Sequence, residues 1–206
     1  MPSNESVPRN LSFYPVTGDR WPDLERLFGP RGACAGCWCM WWLLPRRDFD
    51  RQKGEANRLA MKARIESGEI PGLLAYDGVD PVGWCAVGPR EAYPSLERSR
   101  VLQRVDDEPV WSIVCFFVSK SHRRQGLTLG LIQAAVAYAA GHGATTVEAY
   151  PVEPKQANMP DIFAYTGMIS AFRRAGFIDV ARRSPTRPIM RYRIPASATP
   201  LPGAIL

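Results

Sequence analysis

One run of residues constrains this chain more than any other. VWSIVCFFV, Val110 to Val118, carries a single polar side chain, Ser112, and is otherwise apolar, with β-branched and aromatic residues dominating. A run of that kind reads as a central strand buried on both faces. Such a strand needs an apolar layer above it and another below, so the chain has to supply helices for two sides of one sheet. It ends in SKSHRRQG, Ser119 to Gly126, which crowds His122, Arg123 and Arg124 into one turn. From Leu127 to Ala140 the apolar positions then return at helical spacing around most of a circumference, and Gly141-His142-Gly143 stops the pattern.

The rest of the chain builds outward from that core. LSFYPV (Leu11 to Val16) reads as a first strand and DRWPDLERLFG as a short helix. Glu55 to Gly68 reads as a cleaner helix ending at its glycine. GLLAYDG and PVGWCAVG flank DGVDP, the turn chemistry of a hairpin. A polar link leads from there into the central strand. TTVEAYPV is the next strand, a helix is expected between Phe163 and Ala175, and GFIDVARRS and PIMRYRI close the domain as strands. The order predicts an α/β fold: a single mixed, mostly antiparallel sheet with helices on both faces. The domain is expected over residues 11–194, with flexible segments at 1–10 and 195–206.

The turn between the buried strand and the buried helix is a chemical signal. The first amides of a helix have no partner inside it, and the helix dipole is positive there. Gly126 lets backbone approach a ligand without an intervening side chain. Lys120, His122, Arg123 and Arg124 add positive charge. Together these features suit a phosphate group. Neither the G-x-x-x-x-G-K-[ST] loop nor the G-x-G-x-x-G loop is present. Instead Arg123-Arg124-Gln125-Gly126-Leu127-Thr128 fits [RQ]-x-x-G-x-[GA] except at its last position, and FRRAGF (Phe172 to Phe177) fits [YF]-x-x-x-G-F.

Set between that strand and that helix, these motifs resemble the GNAT superfamily of N-acetyltransferases. The resemblance spans roughly Leu11 to Ile194 and implies the family's fold and its cosubstrate, acetyl-CoA. It implies that the backbone amides of Arg123, Arg124, Gln125, Gly126, Leu127 and Thr128 hold the pyrophosphate. It implies that Phe116, Phe117 and Val118 pair with the pantetheine arm, with Tyr165 and Phe172 also beside the cofactor, and that an acceptor amine attacks the thioester directly. Thr128 stands where Gly or Ala is usual, and Lys120 where proline is frequent. Phe172 stands where many members carry the tyrosine that protonates the leaving thiolate, which leaves Tyr150 and Tyr165 as the phenols at hand.

For the proton of the amine, strand parity singles out Glu148. In TTVEAYPV, Thr146, Glu148 and Tyr150 share one face. A carboxylate inside a sheet is costly unless it is paired, hydrated or used, and desolvation raises its pKa toward that of a base. Glu148 is therefore expected either as the general base or as the partner of an arginine. Asp106, Asp107 and Glu108 are the alternatives.

Cys34, Cys37 and Cys39 invite a zinc reading, but a closed site needs four ligands and no second pair accompanies them. No metal is expected. The thiols read as small apolar groups beside Trp38, Met40, Trp41 and Trp42, in an aromatic segment that forms either core or the wall of an acceptor pocket. The net charge of +6 favours an anionic partner. The arginines fall in scattered pairs rather than in the stripe of a nucleic-acid surface, so a nucleic-acid-binding domain is the weaker reading. The amino terminus lacks the layout of a secretory signal, and the longest uncharged apolar run, ACAGCWCMWWLLP, is too short to span a bilayer. The expectation is a cytoplasmic, reduced protein with no membrane contact, monomeric or homodimeric. Its partners are acetyl-CoA and an amine acceptor. A CoA-binding module of the same fold without transfer activity is the other reading.

Overall fold

The structure, a computed structural model, describes residues 11–154 and 164–196. Its elements in chain order are β1 (Leu11–Pro15), α1 (Trp21–Phe28), α2 (Arg46–Gln52), α3 (Glu55–Glu66), β2 (Gly72–Asp77), β3 (Asp80–Pro89) and α4 (Pro94–Glu97). They continue with β4 (Trp111–Val118), α5 (Leu127–Gly141), β5 (Thr146–Ala149), α6 (Ile169–Arg174), β6 (Ile178–Arg182) and β7 (Pro188–Arg193). The strands form one seven-stranded sheet in the order β1-β2-β3-β4-β5-β7-β6. Every neighbouring pair is antiparallel except β4 and β5. This is the mixed, mostly antiparallel sheet expected from the sequence.

β4 is buried from Ser112 to Phe116, and the apolar layers it requires lie on opposite faces. One contains Trp21, Leu24 and Phe28 of α1 with Trp38, Met40, Trp42, Phe49 and Met61. The other contains Leu127, Leu131, Ile132 and Ala135 of α5 with Ile169 and Phe172 of α6. Every apolar position of α5 that the helical reading places inward is accounted for in that second layer.

Two local features shape the centre of the sheet. The β3–β4 register runs Cys85 to Phe116 and Ala86 to Cys115, then Val87 to Ile113, so Val114 is an extra residue in β4. A bulge of this kind bends its strand and increases the twist. On the other edge, β4 and β5 pair only at Trp111–Val147, Ser112–Glu148 and Ile113–Ala149. Beyond Ile113 the two strands part.

The differences from expectation are local. α2 was not anticipated; Pro45 at its cap supplies a start signal and the helix buries only Phe49. The strand expected over TTVEAYPV holds ladder pairing only for Thr146–Ala149, because its partner β4 diverges there. The helix expected between Phe163 and Ala175 is realised as Ile169–Arg174. Phe163, the amino-terminal segment 1–10 and residues 197–206 of the expected tail lie outside the described residues.

Candidate active site

Where β4 leaves β5, a cleft of about 990 Å³ opens. Its floor is Cys115, Phe116, Phe117 and Val118 of β4. One wall is the turn into α5, from His122 through Leu129; the opposite wall comes from the segment carrying Cys34, Cys37, Cys39 and Trp41 and from α2. Because α5 belongs to one apolar layer and the cysteine segment to the other, the cleft joins the two faces of the sheet at the point of divergence.

The turn has the geometry its sequence requires. Gly126 caps α5 with φ 78°, and Arg124 also adopts a left-handed conformation, φ 61°. Glycine takes that conformation without cost, whereas arginine pays for it. The result is a tight loop that aims the start of α5 into the cleft. Arg123, Arg124, Gly126, Leu127 and Thr128 all line it; Gln125 turns aside and donates from its amide to the carbonyl of Ser121 at 2.8 Å. His122 lines the cleft, but its Nδ1 meets Ser119 Oγ at 2.9 Å and its Nε2 lies 3.3 Å from Asp77 Oδ2.

The edge of β4 is partly occupied by the protein itself. The Phe116 amide donates to the carbonyl of Tyr165 at 2.6 Å, so the backbone of residue 116 faces away from β3. By strand alternation the backbone of Val118 faces the same way; its carbonyl accepts from Arg123 Nε at 3.2 Å. Phe116, Phe117, Val118 and Tyr165 all line the cleft, as expected for groups beside a cofactor. Phe172 does not: it is fully buried against Phe116 and Phe177 in the α5 layer.

Glu148 and Tyr150 lie elsewhere. Both are completely buried, on the sheet face opposite Val147 and Ala149, as strand parity requires, yet neither lines the cleft. Ser112, Glu148 and Arg191 form one row across β4, β5 and β7. Glu148 Oε1 accepts from Arg90 Nη1 and from the Tyr150 hydroxyl, each at 2.8 Å, and Oε2 accepts from Arg191 Nε at 2.8 Å. Tyr150 in turn accepts from Arg90 at 2.6 Å and meets Ser112 Oγ at 2.8 Å. Burial, together with the neighbouring Glu148 charge, pushes the Tyr150 phenol well above its ordinary range. Asp106 and Glu108 extend the network: Arg191 binds both Asp106 oxygens at 2.7 and 2.9 Å, and Glu108 is held by Arg193 and Thr146. A carboxylate with both oxygens committed to guanidinium groups has little remaining capacity to accept a proton from a substrate. Sequence reasoning missed Arg90 and Arg191, which lie in distant segments and meet only in the fold.

The cysteine segment is unusual in its backbone. Ala33, Ala35, Trp38 and Cys39 all have positive φ, between 47° and 67°. Cys39 Sγ lies 3.3 Å from Cys115 Sγ and receives Trp84 Nε1 at 2.9 Å. Among the described residues no group of histidine, cysteine or carboxylate side chains has the arrangement of a metal site. No helix among them is long and apolar enough to cross a membrane.

Comparisons with known proteins bear on this geometry. Residues 38–167 match the acetyltransferase (GNAT) family. A search of curated protein sequences finds no match. Among solved structures, an acetyltransferase of the GNAT family from Listeria monocytogenes superposes with a TM-score of 0.55 at 10% identity, covering 89% of this chain and 95% of its own. The Salmonella typhimurium protein yncA, solved with acetyl-CoA, gives 0.51 at 14% identity over 93% of this chain and 98% of its own. The paia N-acetyltransferase of Thermoplasma acidophilum, solved with coenzyme A, gives 0.50 at 9% identity over 89% of this chain and 99% of its own. At such identities the superpositions speak for the fold, while the match over residues 38–167 carries the relationship: the chain belongs to the acetyltransferase (GNAT) family.

Proposed function

We propose that this protein transfers an acetyl group from acetyl-CoA to the nitrogen of an acceptor amine by direct attack, with residues 11–194 as the catalytic unit and the cytoplasm as its setting. The observation that carries this reading is the left-handed turn at Arg124–Gly126, which points the start of α5 and two arginines into a cleft floored by the divergent edge of β4. The two relatives solved with acetyl-CoA and with coenzyme A support the choice of cosubstrate. The amides of Leu127 and Thr128, unpaired within α5, with Arg123 and Arg124 beside them, suit a pyrophosphate. The Phe116 amide is taken by Tyr165, and the outward amide of Val118 and carbonyl of Phe116 suit an extended amide-bearing arm.

The chain's own part in catalysis is placement and polarisation. Holding thioester and amine together removes much of the entropic barrier to a bimolecular reaction. The positive end of α5 holds the pyrophosphate, and backbone dipoles of β4 that face the cleft polarise the thioester at the other end of the arm. With Phe172 buried and lacking a hydroxyl, the thiolate leaves on that electrostatic support. Glu148, expected from the sequence as a base, we assign to holding β4, β5 and β7 together rather than to proton transfer, because both its oxygens are clamped.

Gly126→Val tests the site. A β-branched residue is strained at this φ and adds bulk to a position that lines the cleft. Titration calorimetry should find no measurable acetyl-CoA binding in a variant whose circular dichroism is unchanged. Unaltered affinity in the folded variant refutes the assignment. Binding by the wild type without transfer to any amine favours a CoA-binding module instead.

A further inference from the structure

A second cavity, of about 200 Å³, lies on the face of the sheet that carries α1 and α3. Met61 and Arg64 of α3 line it, with Trp84 and Gly88 of β3, Tyr93, and the segment Glu69 to Pro71 ahead of β2. Among the described residues, Cys39 is the one that lines both this cavity and the cleft. Its Sγ accepts from Trp84 Nε1 at 2.9 Å, which fixes the indole beside the partition between the two spaces. Met61, Trp84 and Tyr93 are buried, whereas Arg64 and Glu69 are partly exposed. The charged pair therefore stands at the rim and the apolar side chains lie deeper.

Two donors belong to this apolar space. Arg64 Nη2 is paired with Glu69 Oε2 at 2.6 Å, but Arg64 Nε is buried and has no hydrogen-bond partner among the described residues. A buried donor without an acceptor destabilises the fold, so an acceptor brought by a ligand is rewarded. The second donor is the Tyr93 hydroxyl, which lies over Gly88: a Cβ added to that glycine would stand 3.3 Å from it. Burial raises the Tyr93 phenol by more than the nearby Arg64 charge lowers it, so the hydroxyl keeps its proton near neutrality and can donate it.

We propose that this cavity is a second ligand site, and that it takes an uncharged carboxamide on a small apolar body, a molecule the size of benzamide. The carbonyl oxygen of the ligand accepts from Arg64 Nε, with the Tyr93 hydroxyl as the further donor. Its N–H₂ turns to the Glu69 carboxylate at the rim, and its apolar body packs against Met61 and Trp84. Charge decides the class. Arg64 and Glu69 together are neutral, so neither an anion nor a cation recovers there what it loses on leaving water. A plain hydrocarbon fits the walls but leaves Arg64 Nε as unpaired as before. The space is adequate, since a cavity of about 150 Å³ with aliphatic and aromatic walls holds benzene. No residue of β4 lines the cavity, so its ligand sits apart from the thioester.

The test reads binding directly and does not depend on acetyl transfer. The full chain, with carbon-13 methyl labels on methionine and isoleucine, is titrated with benzamide, benzoate, benzylamine and toluene and followed by NMR. Benzamide should bind with a Kd of about 1 mM or below, at least about fivefold tighter than each of the other three. The methyl signals of Met61 and Ile70, which line the cavity, should move, while that of Met168, which lines the cleft, should stay. Arg64→Met should weaken benzamide by about tenfold or more and Tyr93→Phe by about fivefold. Tyr93→Phe removes one hydroxyl and keeps the ring, so it serves even where Arg64→Met disturbs α3. No benzamide binding up to about ten times the expected Kd overturns the proposal. Equal or tighter binding of benzoate, benzylamine or toluene overturns the ligand class. Movement of Met168 without Met61 and Ile70 puts benzamide in the cleft and overturns the site, and unchanged affinity in the folded variants overturns the part given to the two donors.

Discussion

Glu148→Gln separates a structural carboxylate from a catalytic one in a single variant. The substitution keeps the shape of the side chain and removes its charge. In the wild type three hydrogen bonds of 2.8 Å converge on the carboxylate, two of them from guanidinium groups. Arg90 is 1% exposed and Arg191 4%, so neither charge can turn to water when its partner is neutralised. Glutamine retains one acceptor oxygen but presents an N–H₂ to a guanidinium that also donates. Removing one partner of a buried ion pair costs about 3–5 kcal/mol, and Glu97 on Arg90 and Asp106 on Arg191 hold the loss toward the lower figure. For a domain of this size each kcal/mol lowers Tm by about 2–4 °C, so the expected drop is roughly 6–20 °C. Differential scanning calorimetry measures it, with acetyl-CoA affinity and kcat/KM determined well below the lowered midpoint. Both should match the wild type there. If Tm is unchanged and kcat/KM falls by about 10²-fold, the loss expected of a missing general base, the structural reasoning is refuted and Glu148 is the base.

Phe172→Tyr should not accelerate transfer, because the new hydroxyl enters a site fully enclosed by Phe116, Phe177 and the α5 layer rather than the cleft. It should cost about 1–3 kcal/mol in denaturant unfolding as an unpaired buried hydroxyl; a rate gain would place residue 172 at the leaving group after all. Asp106 governs part of the acid limb of stability. The Arg191 guanidinium lowers its carboxyl to about 2. A lowered pKa contributes stability above the unfolded value, near 3.9, and loses it as pH falls toward about 2. Asp106→Asn should therefore flatten the loss of Tm on acidification through that window, and an identical acid limb in the variant counts against the pair.

Local chemistry made much of the architecture readable. An almost uninterrupted apolar run could only be a central strand, and its junction with an apolar helix placed the cationic turn where the cleft lies. Parity correctly put Glu148 and Tyr150 on one side of the sheet, apart from Val147 and Ala149. The role of Glu148 was not readable, because its partners are Arg90 and Arg191, 58 and 43 residues away along the chain. One-dimensional patterns show that a strand carboxylate is hidden but not what hides beside it. The same limit applies to Phe172, whose motif position suggested the cofactor although packing turns it into the layer beneath. The extent of the wall opposite α5 escaped notice for another reason. Its course depends on left-handed backbone at Ala33, Ala35, Trp38 and Cys39, residues whose types do not advertise that conformation.

The short seam between β4 and β5 also bears on how the molecule comes apart. Three residue pairs join the strands before they part, and buried polar links through Arg90, Glu148 and Tyr150 cross the line beside them. The ladder formed by β5, β7 and β6 can thus behave as a cooperative unit of its own, opening below the energy of global unfolding. Acetyl-CoA in the cleft would touch β4 on one side of that line and, on the other, residues of the 164–174 segment that precedes β6. By mass action it raises the cost of opening by about 2.7 kcal/mol at a hundred times its dissociation constant. Occupancy of the cleft would then govern how long the β5–β7–β6 ladder stays closed to solvent exchange and to proteases, and a rise or fall in cosubstrate would change the lifetime of the chain as well as its turnover.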